Sequence, residues 1–158
     1  MKDSIGANLY GSKGSVIVFP PTAFVEQTMT MYGTMIGLDH LYSRGMTRLT
    51  DDGNLKGNFG EDITGNYHLT SLTVLDGGKA ALTDMYDSTT ELGTHLIADF
   101  IHIENTGVLE VNSGIVFGGV FDIEKSGTVL GLRLGYKPST GPGKGNSCSS
   151  DWSKSRKF

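Results

Sequence analysis

The stretch Ile101–Gly114, "IHIENTGVLEVNSG", alternates apolar and polar residues, breaks at Asn105-Thr106-Gly107, and resumes alternating. A strand points alternate side chains to opposite faces, so this run reads as two short strands joined at a turn. Read alone, it is a hairpin. Read against its neighbours, it is one copy of a repeat. Leu72, Val74 and Gly78 in "LTVLDGG" have the same internal spacing as Ile101, Ile103 and Gly107, and so do Phe121, Ile123 and Gly127 in "FDIEKSG". The copies start 29 and then 20 residues apart. After each Gly the chain turns apolar again, at Ala80–Leu82, Val108–Val111 and Val129–Leu132.

This pattern predicts strands whose alternate residues face inward. Gly78, Gly107 and Gly127 are the structural turns, each read as a left-handed corner that only Gly adopts freely. Stacked at about 20 residues per coil, such strands bury a continuous ladder. The extra length of the 29-residue step is assigned to a loop at Thr83–His95, which is polar and Thr-rich. The expected fold class is all-β: a short, β-helix-like β-solenoid with an N-terminal capping or interface segment and an extended C-terminal arm. A β-sandwich, a jelly roll and an interlocked trimeric β-structure also use closely spaced Gly turns and are the alternatives.

Composition agrees with an all-β chain. Of 158 residues 23 are Gly, a content that helices tolerate poorly. Cys148 is the single cysteine, so the fold stands on burial and backbone pairing without an internal disulfide. The first residues have no apolar run of signal-peptide length, and no stretch has the run of apolar residues that a membrane-spanning helix needs. The expectation is a chain that is neither membrane-bound nor exported through a signal peptide; if it works outside a cell, it is released with a particle, exported otherwise, or cut from a longer precursor.

Three regions are expected. Residues 1–52 form an N-terminal β or irregular capping or interface segment. "SVIVFPP" reads as a strand stopped by Pro20-Pro21. The segment also carries Met29, Met31, Tyr32, Met35 and Ile36, which are read as interface candidates. Residues 53–136 form the β-repeat body. Residues 137–158 form a Gly/Ser-rich basic arm with five basic residues against Asp151, while the first 136 residues hold eight basic and sixteen acidic side chains. Trp152 and Phe158 in the arm are further interface candidates, expected to dock on a neighbour.

Carboxylates are the first candidates for chemistry. With Ile101 and Ile103 facing in, His102 and Glu104 face out, as do Asp122 and Glu124. Carboxylates from successive coils could act on a glycosidic bond, but outward strand positions are polar by default. The four histidines, at 40, 68, 95 and 102, lack metal-ligand spacing. "DDGNLKGNFGED" is rich in oxygen ligands but out of EF-hand order. No catalytic, cofactor or metal residues are assigned, and no cofactor is expected.

The Gly-punctuated copies, with corners at Asp76-Gly77-Gly78, Asn105-Thr106-Gly107 and Lys125-Ser126-Gly127, resemble the repeats of right-handed β-helices in autotransporter passenger domains and phage tailspike or fibre proteins. The resemblance covers about residues 53–135, and its irregular spacing suits phage proteins better. It implies a non-enzymatic structural or adhesive protein: a phage-type virion component such as a capsid decoration protein or a tail or fibre module. The expected partners are further copies of the chain, with a trimer favoured, and neighbouring virion or lattice proteins. Surface polysaccharide is a further candidate partner; nucleic acid and membrane are not expected. The alternatives are a carbohydrate-active β-helix enzyme using Glu104, Asp122 or Glu124, and a cellular scaffold polymer.

Overall fold

A computed structural model describes residues 4–56, 64–83, 94–111 and 114–131. Every regular element among them is a strand. In chain order these are β1 Ser4–Ile5, β2 Leu9–Gly11, β3 Val16–Val18, β4 Thr22–Val25, β5 Thr28–Met31, β6 Thr34–Ile36, β7 His40–Ser43, β8 Met46–Thr50 and β9 Asn54–Lys56. They continue with β10 Asn66–Val74, β11 Lys79–Thr83, β12 Thr94–Ile103, β13 Val108–Val111, β14 Gly114–Ile123 and β15 Thr128–Leu130.

All pairings are parallel. The first sheet runs β1-β4-β7-β10-β12-β14, the second β2-β5-β8-β11-β13-β15 and the third β3-β6-β9. Successive strands of the chain fall in different sheets, and each sheet is joined across the layers. This is a solenoid-like, all-β architecture.

The repeat register is visible in the pairing. Leu72 is aligned with Ile101, and Ile101 with Phe121. The ladder begins well before the repeats that the sequence displays. Ala23 is aligned with Leu41 and Leu41 with Leu72, so the pairing crosses the expected boundary at residues 52 and 53 without a break. Residues 4–56 are the lower coils of the stack and not a separate segment laid over its end.

Burial explains why. Val25, Met29, Met31 and Met35 point inward and are at most 1% exposed. Met29, Met31 and Met35 therefore fill the chain's own core and are not on an interface. Tyr32 and Ile36, the other two candidates of this segment, are half-buried. The unbranched Met side chain fills irregular space well: a Cβ added at Gly11 would strike the Met31 thioether.

The longest strands bend. In β10 the buried apolar residues change parity from Tyr67 and Leu69 to Leu72 and Val74. In β12 they change from Leu96 and Ala98 to Ile101 and Ile103. The pairing skips Thr70, Asp99 and Gly119 at the same level. A period-two strand can change its inward set only by such an irregularity.

Two polar contacts sit inside the wall. Ser43 and Thr47 share a hydroxyl hydrogen bond of 2.9 Å, and Ser43 also donates to the Lys79 carbonyl at 2.9 Å. Tyr67 donates to the Thr50 carbonyl at 2.6 Å and accepts from the Thr50 amide at 3.2 Å. Burial pushes the Tyr67 phenol well above its ordinary value, with the hydrogen bonds to Thr50 acting in the other direction.

Candidate functional site

The outward face of the first sheet carries two side-chain columns. One runs Phe24, Tyr42, Thr73, His102, Asp122, and the other Thr22, His40, Ser71, Phe100, Val120. Phe24 and Tyr42 stack with ring centroids 4.4 Å apart. His40 Nδ1 lies 2.8 Å from the Ser71 hydroxyl. Phe100 and His102 lie near-parallel with centroids 6.0 Å apart.

His102 meets both carboxylates of the coil above. Its Nδ1 is 2.9 Å from Asp122 Oδ2 and its Nε2 is 3.5 Å from Glu124 Oε1. With both ring nitrogens facing carboxylates, this arrangement ties β12 to β14. The residues sit at a partly exposed surface, where such pairs contribute little, about 0–1 kcal/mol. Among the described residues no group of three or more His, Cys, Asp or Glu could hold a metal ion.

The corners between the first and second sheets hold a second set of contacts. Glu104 Oε2 accepts from the Asp76 amide at 2.9 Å, and Glu124 Oε2 accepts from the Asn105 amide at 3.0 Å. Each carboxylate thus satisfies a backbone donor in the turn one coil below. Asn105 Oδ1 accepts from the Ser126 amide at 3.3 Å. Glu104 and Glu124, two of the three carboxylates considered for glycoside chemistry, are staples between coils.

Gly78, Gly107 and Gly127 end turns closed by their amides donating to Leu75, Glu104 and Glu124 carbonyls. Their role differs from the expected one. The left-handed residues are one position earlier, Gly77 at φ 74° and Thr106 at φ 59°. What Gly78, Gly107 and Gly127 provide is room. A Cβ at Gly107 would lie 2.9 Å from the Val74 carbonyl oxygen, and one at Gly127 would lie 2.8 Å from that of Ile103. At Gly78 a Cβ would overlap the Ser43 carbonyl. Gly45, which lies beneath Gly78 and whose Cβ would overlap the Gln27 carbonyl, belongs to the same column. Thr106 is the only non-Gly residue at positive φ among the described residues. For a β-branched residue that conformation costs on the order of 1–3 kcal/mol.

The upper end of the stack is apolar. Phe121, Ile123 and Val129 continue the inward columns above Ile101, Ile103 and Leu109, which are fully buried. In this last described coil they are 41%, 45% and 43% exposed. Phe117 and Val120 are exposed beside them. At the lower end the inward residues Ile5, Leu9 and Ile17 are half-buried and packed on the core. Alternation alone marks Phe121 and Ile123 as inward; it does not register their exposure.

Cys148, Trp152 and Phe158, the rest of the arm 137–158, and most of the Thr83–His95 loop lie outside the described residues. No family model, no curated protein and no solved structure matches the chain.

Proposed function

We propose that this chain is a short β-solenoid of the β-helix kind, and that it serves as a non-enzymatic structural or adhesive module that works by assembly. The observation that carries the proposal is the apolar upper end. Phe121, Ile123 and Val129 occupy core columns yet remain more than 40% exposed. Terminal repeats of a solenoid need a cap, and an apolar patch beside a strand that has no further partner among the described residues invites association.

Closed association of copies hides both liabilities, and a trimer is the favoured form. The arm 137–158 is basic and the rest of the chain acidic, so the arm would contact a neighbouring subunit or a larger lattice. A phage-type virion component, on a particle surface, is the setting that the resemblance of the repeats supports.

The test is sedimentation of the full-length protein at micromolar concentration. The expected species is an oligomer that Phe121→Ser weakens. Removal of residues 144–158 should also weaken it, with the largest loss at low ionic strength, where charge is least screened. A monomer unaffected by either change would overturn the reading. Release of products from a polysaccharide, lost in Asp122→Asn, would replace it with the carbohydrate-enzyme reading.

A further inference from the structure

The corner at Asp76-Gly77 combines three features. An aspartate precedes a glycine in a turn whose tip is exposed. Gly77 has positive φ, nothing lies within 4 Å of where its Cβ would be, and both Asp76 and Gly77 are exposed. Thr106, the strained residue of the coil above, reaches down to both. Its hydroxyl donates to Asp76 Oδ1 at 2.5 Å and accepts from the Gly77 amide at 2.9 Å. One hydroxyl can do both, having one donor and two acceptor lone pairs.

Asp-Gly units are where a main chain can rearrange by itself. The Gly amide nitrogen, on losing its proton, attacks the Asp side-chain Cγ. A C–N bond forms and a carboxyl oxygen leaves as water, giving a five-membered succinimide. Water then opens that ring at either carbonyl. Opening at the backbone carbonyl leaves the main chain running through Cγ, as isoaspartate. The water lost in the first step is regained in the second, and no oxidant or other reactant is needed.

We propose that Asp76-Gly77 is a latent isomerisation site and that the Thr106 hydroxyl holds it closed. The two groups that must meet, the Gly77 nitrogen and the Asp76 carboxyl, are both tied to Thr106. The Asp76 amide is tied in turn to Glu104. This gives the strained Thr106 backbone a reason. A Gly there would adopt positive φ without strain but would leave the corner below unguarded. Isoaspartate inserts an extra main-chain carbon, which would displace Gly78 from its seat over the Ser43 carbonyl. The proposal is independent of the assembly reading.

The test uses the full-length protein held at neutral pH well below its melting temperature. Isoaspartate is quantified by isoaspartyl-methyltransferase labelling and located by electron-transfer fragmentation. Thr106→Gly removes the hydroxyl while relieving the strain, and Thr106→Val removes it while keeping the branch. Both should accelerate isomerisation at Asp76 several-fold, and Thr106→Ser should remain near the parent. Asp52-Gly53 is an internal reference, because it does not touch Thr106 and the Gly53 amide is held by the Thr50 carbonyl at 3.2 Å. An acceleration confined to Asp76 supports the lock. An equal rise at Asp52, a Thr106→Gly rate equal to the parent's, or a Thr106→Ser rate equal to that of Thr106→Gly would overturn it.

Discussion

In the lower coils the inward columns of the second sheet run Leu9, Met29, Thr47 and Gly11, Met31, Leu49; in the upper coils they continue as Ala80, Leu109, Val129 and Leu82, Val111. The wall is the same and its materials differ. The corners differ more. Below, β7 and β8 are separated by Arg44 and Gly45 alone. Above, the corners Leu75–Gly78, Glu104–Gly107 and Glu124–Gly127 are two residues longer. The longer turn exposes extra backbone donors, and Glu104, Glu124 and Thr106 from the next coil engage them. A corner can thus be made tight by omission or longer by adding side-chain staples, while the buried ladder runs through both.

The largest expected effect tests what both kinds of corner share, the close seat of Gly over a carbonyl. Gly78→Ala and Gly45→Ala should each lose roughly 3 kcal/mol or more, toward the severe end for single substitutions, because rigid backbone blocks the new Cβ. Gly77→Ala should lose only about 1–2 kcal/mol, the strain of positive φ in open space. Urea denaturation separates the two. Equal losses at 77 and 78 would mean that conformation, and not room, selects Gly in this column.

The next sharpens the contrast between the middle of the stack and its upper end. Met31→Ala and Ile101→Ala each empty a fully buried site and should cost about 2–5 kcal/mol. Phe121→Ala, starting from a partly exposed site, should cost less than about 2 kcal/mol in a dissociated subunit. In an assembly that covers the upper end, Phe121→Ala should approach the cost of Ile101→Ala, so melting at two protein concentrations is the measurement.

The smallest concerns Tyr67, whose phenol ties β10 to the end of β8. Tyr67→Phe leaves the Thr50 carbonyl without this donor and should cost about 1–3 kcal/mol. The folded state holds the phenol proton more tightly than the unfolded chain does. The contribution is therefore intact below about pH 10, the unfolded value, and is lost as pH rises beyond it toward the folded one. The urea midpoint of the parent should fall above about pH 10 more steeply than that of Tyr67→Phe. Parallel profiles would show that the phenol is not protected by the fold.

Much of the upper half was legible in the residues. Leu72, Ile101 and Phe121 share one spacing, and the pairing aligns them. The lower half was not, for two physical reasons. Its corner between β7 and β8 is shorter, so Leu41 and Gly45 do not repeat the spacing of Leu72 and Gly78. One inward position is Ser43, polar in sequence yet fully buried because Thr47 and the Lys79 carbonyl satisfy its hydroxyl. The methionines misled in the same way: Met29, Met31 and Met35 read as surface in need of cover because the strands that bury them are far away in sequence.

By itself the sequence determined the strand class, the inward set of the upper coils and the turn positions, because alternation and glycine placement are local properties of the chain. Only the tertiary structure decided which glycine needs positive φ and which needs room, that Glu104 and Glu124 serve backbone amides one coil below, and that the core columns reach Phe121 and Ile123 still exposed. Those depend on what lies in the next layer, 18 to 33 residues away along the chain. No periodicity within a single coil encodes that.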